Sequence, residues 1–382
     1  MSDVIKKIIL FFTPYVNLFE WKVDLFFKHI KSTDSIFTIK RKLLELMQKN
    51  LIIVNIWMEK KYKGYIYLTK KARRKMYTDT LKIVEKFNKF RAENPIEKIS
   101  IDIPPANLEK VILLAQICEF LKPGKYYEYI ETSSFGKLLR DPDKQKLEGD
   151  CNQIVTLYTY LYSTKFPLED LQIKLLPEHV CLHFHGIDIE ATSGELTKYE
   201  KFDHILPVTE IISTNLLDLT DFREDTQKIS EHVFVKSSQL AYAISSLREI
   251  VSKNLNIAYH NLGIAALNTN NYETAVFYLS KTDDKESLKI AYHNASVYFL
   301  NQKNYTKAEF YADKTGNFDF KNEIKKSAAA EEYNNLAKKV ANIKTIEQAK
   351  QHKYTYQKML DLAQKIGDES LINNVRDILN KL

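Results

Sequence analysis

The stretch from residue 147 to residue 194 contains side chains suited to nucleophilic catalysis. Cys151 comes first, and His179 and Asp188 follow it along the chain. A thiolate attacks a carbonyl carbon best when an imidazole can accept its proton and a carboxylate holds that imidazole in place. These residue types, in this order, predict a Cys-His-Asp site made of Cys151, His179 and Asp188.

Cys151 is predicted to be the first residue of a buried helix. Asp150 is a good N-cap, because its carboxylate can accept hydrogen bonds from the free amides of the first turn. Residues 152–163 contain neither Gly nor Pro and carry a wide apolar face. The positive end of the helix dipole lowers the pKa of a thiol placed there. Gly149 is expected to let the backbone turn sharply into this helix. A lone cysteine is more often a small core residue, so the later His and Asp carry the catalytic interpretation.

The histidine and the aspartate are predicted to lie on a β-hairpin. Residues 179–184 alternate between apolar and polar side chains, and the alternation resumes after Gly186. A two-residue turn at 185–186 would set His183 opposite Asp188, whereas a four-residue turn over 182–185 would set His179 opposite it. The sequence leaves both pairings open, with His179 the first candidate for the base and His183 the reserve.

A family resemblance favours His179. Gly149-Asp150-Cys151 opening a helix, followed by Pro-Glu-His-Val at 177–180 and Ile-Asp-Ile-Glu-Ala-Thr-Ser-Gly at 187–194, resembles the transglutaminase-like, papain-related superfamily. The match covers roughly residues 126–209. It implies a nucleophilic Cys151, His179 as the base and Asp188 as the residue that orients it. This chain departs from the family in a short spacing from His to Asp, and in Cys181 at a position that is often aromatic.

Composition sets outer limits on the function. Nine Gly and nine Pro residues in 382 are few, which favours a helix-rich α+β chain. The three cysteines, at 118, 151 and 181, are too sparse for a disulfide framework and indicate a reducing, cytoplasmic location. We expect no metal and no cofactor, because the cysteines lack paired-ligand spacing. No apolar run approaches the roughly 20 residues needed to span a bilayer, so no membrane partner is expected.

The first 94 residues are predicted to form a separate basic domain. Residues 1–100 contain 22 Lys and Arg residues but only 10 Asp and Glu residues. The pattern between residues 23 and 77 predicts a helix, a strand at 53–58, a basic turn, a strand at 65–69 and a helix, which resembles a winged helix. That module would contact nucleic-acid phosphates through its Lys and Arg side chains. The alternative is a small domain whose basic face docks a protein.

The last part of the chain, residues 237–382, contains an internal repeat. A set of residues beginning at Tyr259 recurs 33 positions later, beginning at Tyr292, and a looser third copy begins at Tyr333. This resembles tetratricopeptide repeats, whose helical hairpins usually bind a peptide or protein partner in a concave groove. The repeated positions are Tyr259, Leu262, Gly263, Ala266, Tyr272, Ala275 and Leu279, matched by Tyr292, Ala295, Ser296, Phe299, Tyr305, Ala308 and Ala312.

Two classes of function follow from these predictions. The first is a cysteine hydrolase or acyl transferase whose core spans residues 95–236 and which acts on amide or ester bonds through a thioester. The second is a non-catalytic adaptor, in which that core is only a scaffold between the basic domain and the repeats. The reactivity of Cys151 distinguishes the two classes.

Overall fold

The computed structural model describes residues 10–31, 33–97, 99, 103–132, 134–218 and 230–382. The chain divides into two compact units, Met1–Leu255 and Asn256–Leu382. Both contain helices, and the strands lie in the first, so the predicted helix-rich α+β class is confirmed. Within the described part of the chain, none of the helices is long and apolar enough to cross a membrane.

The first unit begins with three long helices and continues with a mixture of helices and short strands. Its helices are α1 (Leu18–His29), α2 (Ile36–Met58), α3 (Lys70–Glu93), α4 (Leu108–Phe120), α5 (Phe135–Leu138), α6 (Cys151–Ser163), α7 (Glu210–Leu217), α8 (Glu231–Ile244) and α9 (Arg248–Asn268), the last of which continues into the second unit. Its strands are β1 (Tyr127–Tyr129), β2 (Leu147–Gly149), β3 (Gln172–Leu176), β4 (His179–Phe184), β5 (Ile187–Glu190), β6 (Glu195–Thr197) and β7 (His204–Pro207).

The two strands predicted for a winged helix are wrong. Residues 53–58 belong to helix α2, and residues 64–69 form a turn flanked by irregular backbone. Residues 51–58 are almost all apolar and buried, and a short continuous apolar run cannot be assigned to helix or strand by periodicity alone. Asn50 has non-helical backbone angles, and its Oδ1 accepts a hydrogen bond from Ile53 N at 2.9 Å, so it starts the second half of a kinked helix.

The basic N-terminal region is joined to the rest of the first unit by polar contacts. The buried carboxylate of Glu59 accepts hydrogen bonds from the amides of Phe135 (2.8 Å) and Gly136 (3.1 Å) at the start of α5. Lys82 on α3 forms an ion pair of 2.7 Å with Asp141. Some basic side chains of α3 are thus neutralised within the protein, and the nucleic-acid contact through this region stays a prediction.

One hydrophobic core extends from the N-terminal helices to the end of the first unit, running from Val23 to Val251. The predicted boundary at 94/95 falls inside this unit, and the structural division at 255/256 lies beyond the predicted boundary at 236/237. The physical reason is that α2 and α6 bury their apolar faces in the same core, so residues 1–94 share their interior with the predicted catalytic core.

Five strands form an antiparallel sheet in the order β6-β5-β4-β3-β7, and β1 and β2 form a separate parallel pair. In the register of β4 and β5, His183 lies opposite Asp188 and Leu182 lies opposite Ile189. The connecting residues His185 and Gly186 have φ of 46° and 87°, as a tight two-residue hairpin turn requires. The structure therefore selects the two-residue turn from the two pairings that the sequence left open.

Helix α6 begins where the sequence predicts. Asn152 N donates to Asp150 Oδ1 at 2.9 Å, and Asp150 N donates to Gln153 Oε1 at 3.1 Å, which together form a capping box. Glycine is needed at position 149 for close packing and not for the sharp backbone turn that was expected from the sequence. A Cβ atom there would lie 2.8 Å from Leu138 Cδ1, so Gly149 permits close packing between α5 and β2.

The second unit is made of successive helical hairpins. Its helices after α9 are α10 (Tyr272–Leu279), α11 (Lys285–Asn301), α12 (Tyr305–Thr315), α13 (Phe318–Val340), α14 (Ile346–Gln351), α15 (Lys353–Ile366) and α16 (Glu369–Asn380). The predicted 33-residue offset places equivalent residues on equivalent helices, since Tyr272 and Tyr305 begin α10 and α12.

The two closest copies of the repeat differ at one packed pair. A Cβ atom on Gly263 would lie only 2.4 Å from Leu279 Cγ, so the bulky leucine lies directly against the glycine. At the equivalent positions of the next copy, Ser296 is fully buried with its Oγ donating to Ala308 O at 2.7 Å, and a small Ala312 replaces the leucine. The first copy therefore combines the smallest residue, Gly263, with the large Leu279, whereas the next copy has two residues of intermediate size, Ser296 and Ala312.

This pairing predicts strong coupling between two substitutions. Gly263→Ser should lower the free energy of unfolding by about 1–3 kcal/mol because the serine Cβ overlaps Leu279. Leu279→Ala alone should cost about 2–5 kcal/mol by leaving a cavity. The double variant rebuilds the Ser296–Ala312 pair, so its cost should be well below the sum. Urea denaturation followed by circular dichroism measures all three, and additive costs would contradict the proposed overlap.

Candidate active site

Cys151 is the most accessible of the three cysteines. It is the first residue of α6 and is half-buried, whereas Cys118 and Cys181 are 3 % and 0 % exposed. Burial raises the pKa of the Cys118 thiol to about 12 and also raises the pKa of the Cys181 thiol. Both buried thiols are therefore held in the unreactive protonated form, and Cys151 is the nucleophile candidate.

His179 lies between Cys151 and a carboxylate. Its Nε2 lies 2.8 Å from Glu190 Oε2, and Cys151 lies near enough to the ring to affect its pKa. The interaction with Cys151 first, and then the hydrogen bond with Glu190, raise the pKa of His179 to about 10 against the opposing effect of burial. Because Nε2 is engaged by Glu190, Nδ1 is the ring nitrogen left for the thiol. The raised pKa keeps the imidazole of His179 protonated at neutral pH.

The carboxylate that holds His179 is Glu190, which the sequence prediction missed. Burial by itself would raise the pKa of Glu190, but hydrogen bonds from His179, Thr192 and Tyr199 outweigh burial and lower the pKa to about 2. Tyr199 OH donates to Glu190 Oε2 at 2.7 Å, and Thr192 N donates to Oε1 at 3.0 Å. An ionised carboxylate with both oxygens engaged is suited to fix the orientation of the imidazole.

Asp188, the predicted orienting residue, does not contact His179. Its fully buried carboxylate is bound by His183 Nδ1 (2.6 Å), Lys174 Nζ (2.6 Å) and Tyr199 N (2.7 Å). Burial would raise the pKa of Asp188, yet these bonds hold it below its usual value. The assignment of Asp188 to His179 is therefore corrected. The two-residue turn places Asp188 directly across from His183, and both carboxylate oxygens are used there.

The register explains why Glu190 reaches His179. Glu190 is two residues beyond Asp188 and so points to the same face of the sheet. Continuing the pairing of His183 with Asp188 brings Glu190 opposite Cys181, one diagonal step from His179. The signal was present in the sequence as a second acidic residue at alternate spacing, and it becomes decisive only when the two-residue turn is known.

Tyr129 forms a neighbouring wall of the site. In the parallel ladder of β1 and β2 it pairs with Gly149, two residues before the nucleophile. Burial is the largest cause that raises the pKa of Tyr129, and its proximity to Cys151 and Asp150 raises the pKa further. Its side chain is 48 % exposed, so it is available to a molecule that approaches the thiol.

No group of three His, Cys, Asp or Glu side chains within the described ranges has an arrangement that could hold a metal ion. The polar groups around Cys151 are instead joined to one another by hydrogen bonds. The chemistry that these residues can perform by themselves is nucleophilic attack by sulfur, assisted by an imidazole that accepts and returns a proton.

Comparison of the chain with protein-family models, with curated protein sequences and with solved structures found no match.

The hydrogen bonds of His179 predict its titration. In the wild-type protein, histidine ring NMR should show that His179 is still protonated at pH 6.5 and loses its proton only near pH 10. Cys151→Ala should move this pKa down most, because the interaction with Cys151 is the largest cause, and Glu190→Gln should also lower it. Asp188→Asn is the matched comparison and should lower the pKa of His179 less than Glu190→Gln does, because Asp188 is linked to Glu190 only through Tyr199. An equal shift in Asp188→Asn and Glu190→Gln would contradict the corrected assignment.

Proposed function

We propose that this protein is a cysteine hydrolase or acyl transferase that acts on amide or ester bonds through a thioester. The observation that carries the proposal is the set Cys151, His179 and Glu190, in which the imidazole is hydrogen-bonded to an ionised carboxylate and has Cys151 close enough to raise its pKa. Glu190 takes the orienting role that the sequence prediction gave to Asp188. Such Cys-His-carboxylate sets activate sulfur as a nucleophile in several unrelated folds.

The resemblance to the transglutaminase-like superfamily supports this proposal. A cysteine begins a helix, and a histidine and an acidic residue follow on adjacent strands, as the resemblance implies. The acidic residue in the orienting role is two residues further along the strand than expected, at Glu190 within the motif Glu190-Ala191-Thr192. A free nucleophilic thiol also requires reducing surroundings, so a cytoplasmic location is part of the proposal.

In the acylation step, the Cys151 sulfur attacks the carbonyl carbon of the substrate and forms the carbon–sulfur bond. The electron pair of the carbonyl bond moves to oxygen, and the backbone amide of Cys151, one of the first-turn amides of α6, is placed to stabilise this oxyanion. When the intermediate collapses, the bond to the leaving amine or alcohol breaks. The protonated His179 gives its proton to that leaving group, and the thioester remains on Cys151.

In the deacylation step, neutral His179 accepts a proton from the incoming nucleophile. That nucleophile attacks the thioester carbon, the carbon–sulfur bond breaks, and Cys151 leaves as the thiolate beside the protonated imidazole. Water as the nucleophile gives hydrolysis, and an amine gives acyl transfer. Glu190 keeps the imidazole oriented and stabilises its charge in both steps without becoming protonated.

A second candidate function, partner binding by the repeats, rests on residues that recur with the 33-residue period and remain exposed. Ile257 and Ile290 occupy equivalent positions and are 55 % and 54 % exposed. Phe277 and Phe310 are also equivalent, and both are 56 % exposed. Exposed apolar residues that repeat at a fixed spacing are typical of tetratricopeptide-like arrays that hold a protein or peptide. In this proposal the array serves the enzyme by binding a substrate or partner.

The reactivity of the three thiols tests the proposed nucleophile. Iodoacetamide at neutral pH should label Cys151 once per chain before Cys118 or Cys181 reacts, as measured by mass spectrometry of digested protein. His179→Ala removes the base beside the thiol and should slow labelling by about tenfold or more. Glu190→Gln should slow it less.

His183→Gln is the matched control for the labelling, because His183 bonds to Asp188 in the same hairpin. This variant should label at the wild-type rate. Equal, slow labelling of all three cysteines would leave the adaptor as the function, and slower labelling in His183→Gln than in His179→Ala would make His183 the base.

An activated ester tests whether the site forms a thioester. Mixing the protein with p-nitrophenyl acetate should release a rapid burst of nitrophenolate equal to the protein concentration, followed by slower turnover, as acyl-enzyme accumulation requires. Cys151→Ala should abolish the burst, and hydroxylamine should speed the slow phase if amines are accepted. A burst that persists in Cys151→Ala would show that another group reacts and would contradict the proposal.

A further inference from the structure

A cavity lies in the first unit, at the end of the sheet opposite to His179. It has a volume of about 880 Å³, within the range of small-molecule sites. His179 begins β4, whereas His185, which lines the cavity, follows its other end. Six strand residues at about 3.3 Å each separate the two ends by roughly 20 Å. The cavity is therefore distinct from the proposed active site.

The wall of this cavity is mainly apolar. The first turn of α2 supplies part of it, and the strand ends and the residues just before α7 supply the rest. Phe37 on α2 is 74 % exposed, an unusual degree of exposure for a phenyl ring. The apolar lining residues are Ile36, Phe37, Leu44, Leu171, Pro207 and Val208.

A buried hydroxyl without a partner also lines the cavity. Thr209 is 4 % exposed, and among the described residues its Oγ1 has no hydrogen-bond partner. Thr209 immediately precedes α7 but does not use its side chain to cap that helix. A buried hydroxyl without a hydrogen-bond partner is destabilising, because it has lost its bonds to water. A ligand oxygen bound in the cavity would remove that cost.

The lining also contains a helix N-terminus and an arginine, two groups that attract an anion. The cavity is lined by the N-terminal turn of α2, whose N-cap Ser35 makes no side-chain cap, so the first amides of this 23-residue helix remain available. Arg41, one turn further along α2, also lines the cavity and is exposed. Lys40 in the lining is already paired with Glu210, so the guanidinium of Arg41 is the cation available on α2 for a ligand.

The negative charges in the lining leave room for one anionic group. Asp170 is bound by Lys110 at 2.8 Å and by Tyr162 OH at 2.8 Å, so its charge is already neutralised. Glu169, the other carboxylate of the lining, is exposed to solvent, which screens its charge. One guanidinium and one helix N-terminus suit a single negative charge, and the planar guanidinium matches a carboxylate in a bidentate geometry.

We propose that this cavity binds an apolar monocarboxylate, with the carboxylate between Arg41, the Thr209 hydroxyl and the N-terminus of α2, and the apolar chain along Phe37 and its neighbours. The proposal is independent of the cysteine chemistry. It assigns a small-molecule ligand to the end of the sheet that the proposed active site does not use.

Isothermal titration calorimetry of the full-length protein with decanoate tests this site. Decanoate should bind with one site per chain, while decan-1-ol, which has the tail without the charge, and acetate, which has the charge without the tail, should bind at least about tenfold more weakly. Equal affinity for decanoate and decan-1-ol would overturn the carboxylate assignment. Absence of binding at millimolar decanoate would overturn the site.

Three variants locate the binding. Arg41→Gln and Thr209→Val should each weaken decanoate binding by about tenfold, the loss expected from one hydrogen bond to a charged group. Thr209→Val removes the unpartnered hydroxyl and should leave the protein at least as stable in a thermal melt, which separates loss of binding from loss of folding. Lys42→Gln, an exposed change on α2 outside the lining, is the matched control. Equal affinities in all three variants would show that decanoate binds elsewhere and would overturn the proposal.

Discussion

The hydrogen bond between Glu190 and His179 is the interaction on which the proposed chemistry depends. Glu190 is only 6 % exposed, and a buried carboxylate is stable as an anion only when its oxygens are paired. Here the imidazole, a tyrosine hydroxyl and the groups of Thr192 supply that pairing. The same bonds that keep the carboxylate ionised also fix the ring next to Cys151, so stabilising the anion and orienting the base are one requirement.

A second buried charge cluster lies on the same face of the sheet. Asp188 and Lys174 are both almost fully buried and form an ion pair of 2.6 Å, with His183 completing it. A buried ion pair contributes little net stability because of the desolvation cost, but loss of one partner is expensive. A shift of β5 by one residue would turn Asp188 away from Lys174. We interpret the pair as the contact that sets the strand register, and the register places Glu190 within reach of His179.

Tyr199 links the two clusters. Its hydroxyl donates to Glu190, its amide donates to Asp188, and its carbonyl accepts from Lys174 at 3.1 Å. Tyr199, which lies two residues after β6, therefore contacts both carboxylates through two groups and Lys174 through a third. Any movement of the segment that carries Tyr199 would change the hydrogen bonding of Glu190 and Asp188 together.

The sequence was sufficient for local features governed by short-range rules. The helix that begins at Cys151, its Asp150 cap and the 33-residue repeat were all predicted, because capping, periodicity and self-similarity are read from neighbouring residues. The sequence was insufficient where pairing between residues far apart in the chain decides the structure. The choice between Asp188 and Glu190 depended on the length of a turn. The apolar run at 53–58 fits a strand as well as a helix until the surrounding core is known.

The size difference between Gly263 and Leu279 in one repeat, and its absence between Ser296 and Ala312 in the next, affects which helices pair during folding. The two copies share so many residues that a helix of one could pair with a helix of the other. If α9 paired with α12, Gly263 would face Ala312 and leave a void; if α11 paired with α10, Ser296 would collide with Leu279. Size matching at one position thus discriminates against exchanged hairpins, including exchange between two molecules, in an array whose sequence similarity would otherwise invite it.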